Sequence, residues 1–121
     1  MSVQPGKARR PSPEQRRRRH PRHHADFPVT IRIFSNDEYQ QMEGHCNDLS
    51  EAGMGVLLAA ELTVGEVVSL KFSAPESSQT WELRAVVRQR RSYHYGFEFI
   101  SISAEQVAFL RKQLPQLERS D

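Results

Sequence analysis

From Pro28 onward apolar side chains return at every second position. Val29, Ile31 and Ile33 alternate with Thr30, Arg32 and Phe34, as on a half-buried β-strand. The polar stretch 35–43 reads as a loop, and 44–49 as a second strand. Ser50-Glu51-Ala52-Gly53 supplies turn chemistry before a third strand over 55–59. Val64-Gly65 turns the chain into a fourth strand with Val68, Leu70 and Phe72 on one face, and a polar loop follows over 74–79. Trp81, Leu83, Ala85 and Val87 then alternate with Glu82, Arg84, Val86 and Arg88 in a long fifth strand, and Tyr95, Phe97 and Phe99 mark a sixth. At Ser103 the period changes. Ser103 and Gln106 form a capping box, after which Val107, Leu110 and Leu114, with Phe109 beside them, make an apolar helical stripe that Pro115 ends. The pattern predicts an all-β fold, a six-stranded antiparallel barrel with a C-terminal helix over 104–114.

The ends of the chain follow a different pattern. Residues 1–15 hold Pro5, Gly6, Pro11 and Pro13 among polar side chains and are expected to be a disordered leader. Residues 16–25 form a basic arm, expected to be flexible, and 115–121 a short tail, leaving one domain over 16–114. Charge is divided the same way. Residues 1–24 carry eight basic side chains against one acid, a net +7, whereas the remainder carries nine basic against fourteen acidic, a net −5. The body therefore offers no general field for a polyanion, and an anionic partner meets the arm first.

A single cysteine, Cys46, closes no intrachain disulfide and is expected to be a small core residue. No apolar run approaches the roughly twenty residues that cross a bilayer, and no signal segment is evident, so a cytoplasmic protein without a membrane partner is expected. His20, His23, His24, His45 and Cys46 do not make a metal site, because the first three lie in the arm and the last two alternate across a strand. No nucleophile elbow, paired-carboxylate pattern, Walker loop or Rossmann glycine motif is present, so no enzyme is expected.

Two motifs remain. Arg18-x-x-x-Arg22, with Arg17 directly before it, precedes the first strand, and Asp48-x-Ser50-x-x-Gly53 runs into the third. Either alone is commonplace, since an arginine-rich arm makes the first almost unavoidable and a side-chain-stabilised turn accounts for the second. In this order, with strands around them, they resemble the signature of the PilZ domain family of bacterial cyclic di-GMP receptors. The likeness continues through Gly53-Met-Gly55-Val-Leu-Leu, Leu62-x-Val-Gly65-Glu-Val-Val-x-Leu, Ala85-Val-Val-Arg88 and Tyr95-Gly96-Phe97-Glu98-Phe99.

This resemblance implies a noncatalytic receptor or adaptor whose ligand is cyclic di-GMP and which needs no cofactor. The arm would change conformation on binding and signal to a downstream protein. The implied ligand residues are Arg17, Arg18, Arg22, Asp48, Ser50 and Gly53, with Arg88 a further candidate for stacking on a guanine. The chemistry is suited to them. A guanidinium fork matches the O6 and N7 acceptors of guanine and serves phosphates equally well. Asp48 only accepts, so it suits guanine N1–H and N2 amino groups, Ser50 both donates and accepts, and Gly53 allows close approach. An arginine in the place of Arg17 implies capture of two intercalated ligand molecules. Two other readings stand beside this one: a single-strand or RNA-binding barrel whose arm tracks phosphates, which the acidic body disfavours, and a PilZ-like module that binds only protein.

Overall fold

The computed structural model describes residues 20–35, 37–73 and 79–118. Six strands run in the order β1 (His23–Ser35), β2 (Glu38–Leu49), β3 (Gly53–Leu57), β4 (Val67–Ser73), β5 (Thr80–Arg91) and β6 (His94–Phe99), followed by helix α1 (Ala104–Gln113) and a 3-10 turn (Leu114–Gln116). All neighbouring strands pair antiparallel, and the sheet closes on itself as β1-β2-β3-β6-β5-β4. The expected all-β barrel with its C-terminal helix is the observed fold.

Closure follows from the alternation. Val29, Ile31 and Ile33 of β1, Met54 and Val56 of β3, Val68, Leu70 and Phe72 of β4, Leu83, Ala85 and Val87 of β5, and Tyr95, Phe97 and Phe99 of β6 all point into one core. Cys46 lies there too, fully buried, while His45 on the opposite side pairs with Asp26. Tyr95 is buried without loss because its hydroxyl donates to the Ala60 carbonyl at 2.7 Å and accepts from Leu62 N at 3.0 Å. Helix α1 carries the predicted capping box at Ser103 and Gln106. It covers an end of the core through Phe109, Leu110 and Leu114, with Phe109 stacked 4.3 Å from the Trp81 ring.

Several boundaries differ from the sequence pattern. The predicted loop 35–43 is mostly strand: β1 and β2 continue as a hairpin whose last pair is Ser35 with Glu38. Its outer part is solvated on both faces, so no alternation marks it; cross-strand contacts hold it instead. Phe34 and Tyr39 meet edge to face at 5.1 Å, Arg32 lies 4.7 Å from the Tyr39 ring, and Thr30 donates to Glu43 at 3.0 Å. Strand β1 also begins before Pro28, at His23, taking in part of the expected arm. Pro28 is paired with His45 of β2 and lies outside the β1–β4 pairing, which covers only Thr30, Ile31 and Arg32, so β1 is an edge there on its other side. Finally, β3 starts at Gly53 rather than 55, and β5 runs past Arg88 to Arg91.

The regular ladder is interrupted in three places. One extra residue enters β1 between His24 and Phe27, Asn47 is the extra residue in β2, and Arg88 is the extra residue in β5. Such bulges re-aim side chains and sharpen the local twist. All three lie beside the same transverse row of the sheet.

Candidate functional site

That row crosses five strands on the outer surface as His24, Asp48, Gly55, Gly96 and Gln89, each paired with the next. Its centre consists of two glycines facing each other, so the sheet backbone itself is the floor. A cavity of about 360 Å³ lies here, lined by Arg22, Asp48, Gly55, Gln89, Arg90, Arg91, His94, Tyr95 and Gly96.

The walls are built from the bulges and a turn. Because Asn47 is an extra residue, both Asn47 and Asp48 fall between the inward-facing Cys46 and Leu49, and the two side chains stand together over Gly55. A methyl group on Gly55 would meet Asp48 Oδ2 at 2.9 Å and Asn47 Oδ1 at 3.0 Å. Opposite, the bulge at Arg88 shifts the alternation of β5 so that Gln89 lies over Gly96. The two-residue turn after Arg91 places Ser92 at φ 58° and brings His94 back beside Asn47, whose amide nitrogen lies 2.7 Å from His94 Nε2. Arg90 donates to the Ser92 carbonyl at 2.9 Å and holds its guanidinium 5.3 Å from the Tyr95 ring centre.

One residue from each sequence motif meets the other at this cavity. Arg22 Nη1 donates to Asp48 Oδ1 at 2.7 Å, with the side chains 28% and 24% exposed. A charge-assisted bond in this half-buried setting fixes the arm end of β1 against the motif of β2. Burial, followed by the negative charge of Asp48, pushes the Cys46 thiol far above its usual range, although its bond to the Asp48 carbonyl pulls the other way.

Ser50 and Gly53 sit elsewhere and act differently. Ser50 is 5% exposed, and its Oγ accepts from Ala52 N at 3.0 Å and Gly53 N at 3.2 Å, closing the turn between β2 and β3. Gly53 is packed against β6, where an added methyl would come within 1.9 Å of the Phe97 carbonyl oxygen. Arg88 faces outward but pairs with Glu98 and does not line the cavity. Arg17 and Arg18 lie outside the described residues. Sequence reading passed over Asn47, Gly55, Gln89, Arg90, Arg91, His94 and Gly96. The one available signal was the run Arg88-Gln-Arg-Arg91, basic in an otherwise acidic body. Three arginines against one carboxylate give this face a local charge opposite to the barrel's net −5.

The PilZ domain family model matches residues 16–116, which include both motifs and every strand. The chain belongs to the PilZ domain family. Among solved structures, the Bacillus subtilis inhibitor of motility (MotI/DgrA) is 22% identical with a TM-score of 0.66, over 88% of this chain and 55% of that one. This PilZ domain therefore spans just over half of that protein. The PilZ domain of Escherichia coli YcgR, solved with c-di-GMP, is 20% identical with a TM-score of 0.65, over 84% of this chain and 91% of that one. YcgR from Escherichia coli in complex with c-di-GMP is 25% identical with a TM-score of 0.64, over 79% of this chain and 43% of that one. No curated protein sequence matches the PilZ chain. Among the described residues no cluster of His, Cys, Asp or Glu is arranged to hold a metal ion, and no helix is long and apolar enough to cross a membrane.

Proposed function

We propose that this PilZ domain is a noncatalytic cytoplasmic receptor for cyclic di-GMP. The observation that carries the reading is the 2.7 Å bond between Arg22 and Asp48 at the edge of a glycine-floored cavity, which joins the Arg-x-x-x-Arg and Asp-x-Ser-x-x-Gly elements in space. At Gly96 the floor is covered by the flexible Gln89 side chain, whose displacement opens it to a flat base, and Arg22, Arg90 and Arg91 complement a doubly negative ligand. The YcgR structures, which carry c-di-GMP, share this fold. Arg18 and Arg22 then bind guanine edges or phosphates, Arg17 favours a second, intercalated ligand, and Asp48 accepts from a guanine edge. Ser50 and Gly53 hold the turn that presents Asp48, and Arg88 is the outermost candidate contact. Binding draws the +7 leader and arm onto the barrel, changing the shape and charge that a downstream protein reads.

Isothermal titration of cyclic di-GMP, GTP and a short RNA at physiological salt, on the wild type and Arg22→Ala, tests this. Cyclic di-GMP binds selectively, with two molecules per chain, and the variant loses about ten- to hundredfold in affinity with its charged bond. Equal affinity of variant and wild type for cyclic di-GMP sinks the site. Preference for RNA sinks the function.

A further inference from the structure

Resting on the receptor reading, we propose that Asn47, anchored by His94, is the second base-reading acceptor of this site and takes the exocyclic 2-amino group of guanine. Guanine offers two neighbouring donors along one edge, N1–H and the N2 amino group, and reading both requires two acceptor oxygens side by side. Only one Asp48 oxygen faces the floor without being shared with another group. Its Oδ1 receives the Arg22 guanidinium at 2.7 Å, which leaves Oδ2 facing the floor above Gly55. The neighbouring acceptor is Asn47 Oδ1, 3.0 Å from the same point above Gly55, buried and without a hydrogen-bond partner. A buried acceptor left unpaired is costly in the absence of a donor, and a base edge that displaces the flexible Gln89 side chain from above Gly96 brings one to it.

The tautomer of His94 sets which end of the amide faces the floor. An amide NH₂ only donates, so its 2.7 Å contact makes His94 Nε2 the acceptor and turns Oδ1 toward Gly55. Bulging places Asn47 there at all; in a regular ladder it would point away from Asp48. An adenine edge, which presents a ring-nitrogen acceptor where guanine has N1–H, would set acceptor against acceptor and is rejected.

The test compares cyclic di-GMP with cyclic di-IMP, which lacks only the 2-amino groups, on wild type, Asn47→Ala, Asn47→Asp and His94→Phe, with each fold checked by circular dichroism. Wild type prefers cyclic di-GMP by about three- to tenfold per lost bond. Asn47→Ala binds the two ligands alike, Asn47→Asp keeps an acceptor, with His94 now donating from Nε2, and keeps the preference, and His94→Phe lowers the preference. A folded Asn47→Ala that retains the full preference, or weakens both ligands equally, overturns the assignment. Should Asn47→Ala not fold, an undiminished preference in His94→Phe overturns it. Wild type that binds neither ligand overturns the receptor reading and this assignment together, whereas binding without the preference removes Asn47's role alone.

Discussion

Gly55 stands directly opposite Gly96 across β3 and β6, and Gly53 lies opposite Glu98 one outward position away along the same two strands. These glycines have different tasks. A methyl at Gly96 meets the Gln89 side chain at 2.8 Å, which is flexible and can swing aside, whereas one at Gly53 runs into the Phe97 carbonyl oxygen at 1.9 Å. Gly96→Ala is therefore expected to shift the midpoint of thermal unfolding by only a few degrees. It should lower cyclic di-GMP affinity roughly tenfold, about 1.4 kcal/mol, by raising the floor. Gly53→Ala should cost about 3 kcal/mol of stability through overpacking against backbone. If calorimetry and titration show the same balance of losses for both, the floor is not a binding surface.

Ser50 belongs to the turn as a structural acceptor. Its removal in Ser50→Ala orphans the N–H groups of Ala52 and Gly53, and urea unfolding without ligand should lose about 1–3 kcal/mol. A variant as stable as wild type would show that these bonds do not hold the turn.

Phe109 links the helix to the barrel by stacking on Trp81 and approaching Phe72 at 6.4 Å. Phe109→Ala should cost about 3–5 kcal/mol in urea unfolding. A loss below about 1 kcal/mol would mean that α1 does not close this core.

Cys46 gives a pH dependence with a definite sign. Burial and the Asp48 charge raise the folded thiol's pKa, so the folded state holds this proton more tightly than the unfolded state. The contribution is fully present below the unfolded value of about 8.5 and is lost as pH rises through the folded value. Between pH 7.5 and 10, the urea midpoint of wild type should fall more steeply than that of Cys46→Ala. The native thiol should also resist alkylation until the protein unfolds. Parallel curves, or rapid labelling of native protein, would contradict the burial.

The core was legible in the chain because burial on one side of a strand imposes period two. The six runs, the helix with its capping box, and the two motifs follow from local order alone. The hairpin formed by β1 and β2 was hidden, since Tyr39 and Phe34 stabilise it while both remain exposed, and exposure removes the periodic signal.

What the chain order determined by itself is therefore the barrel, its helical closure and the family-like pair of motifs. Tertiary structure alone decided which residues share the cavity. Bulges at Asn47 and Arg88 each displace the alternation by one position, bringing Asn47 beside Asp48 and setting Gln89 over Gly96 while Arg88 pairs with Glu98. A one-residue slip reverses which side a side chain faces, and no local pattern records it, because an extra residue is defined only against the strand it pairs with.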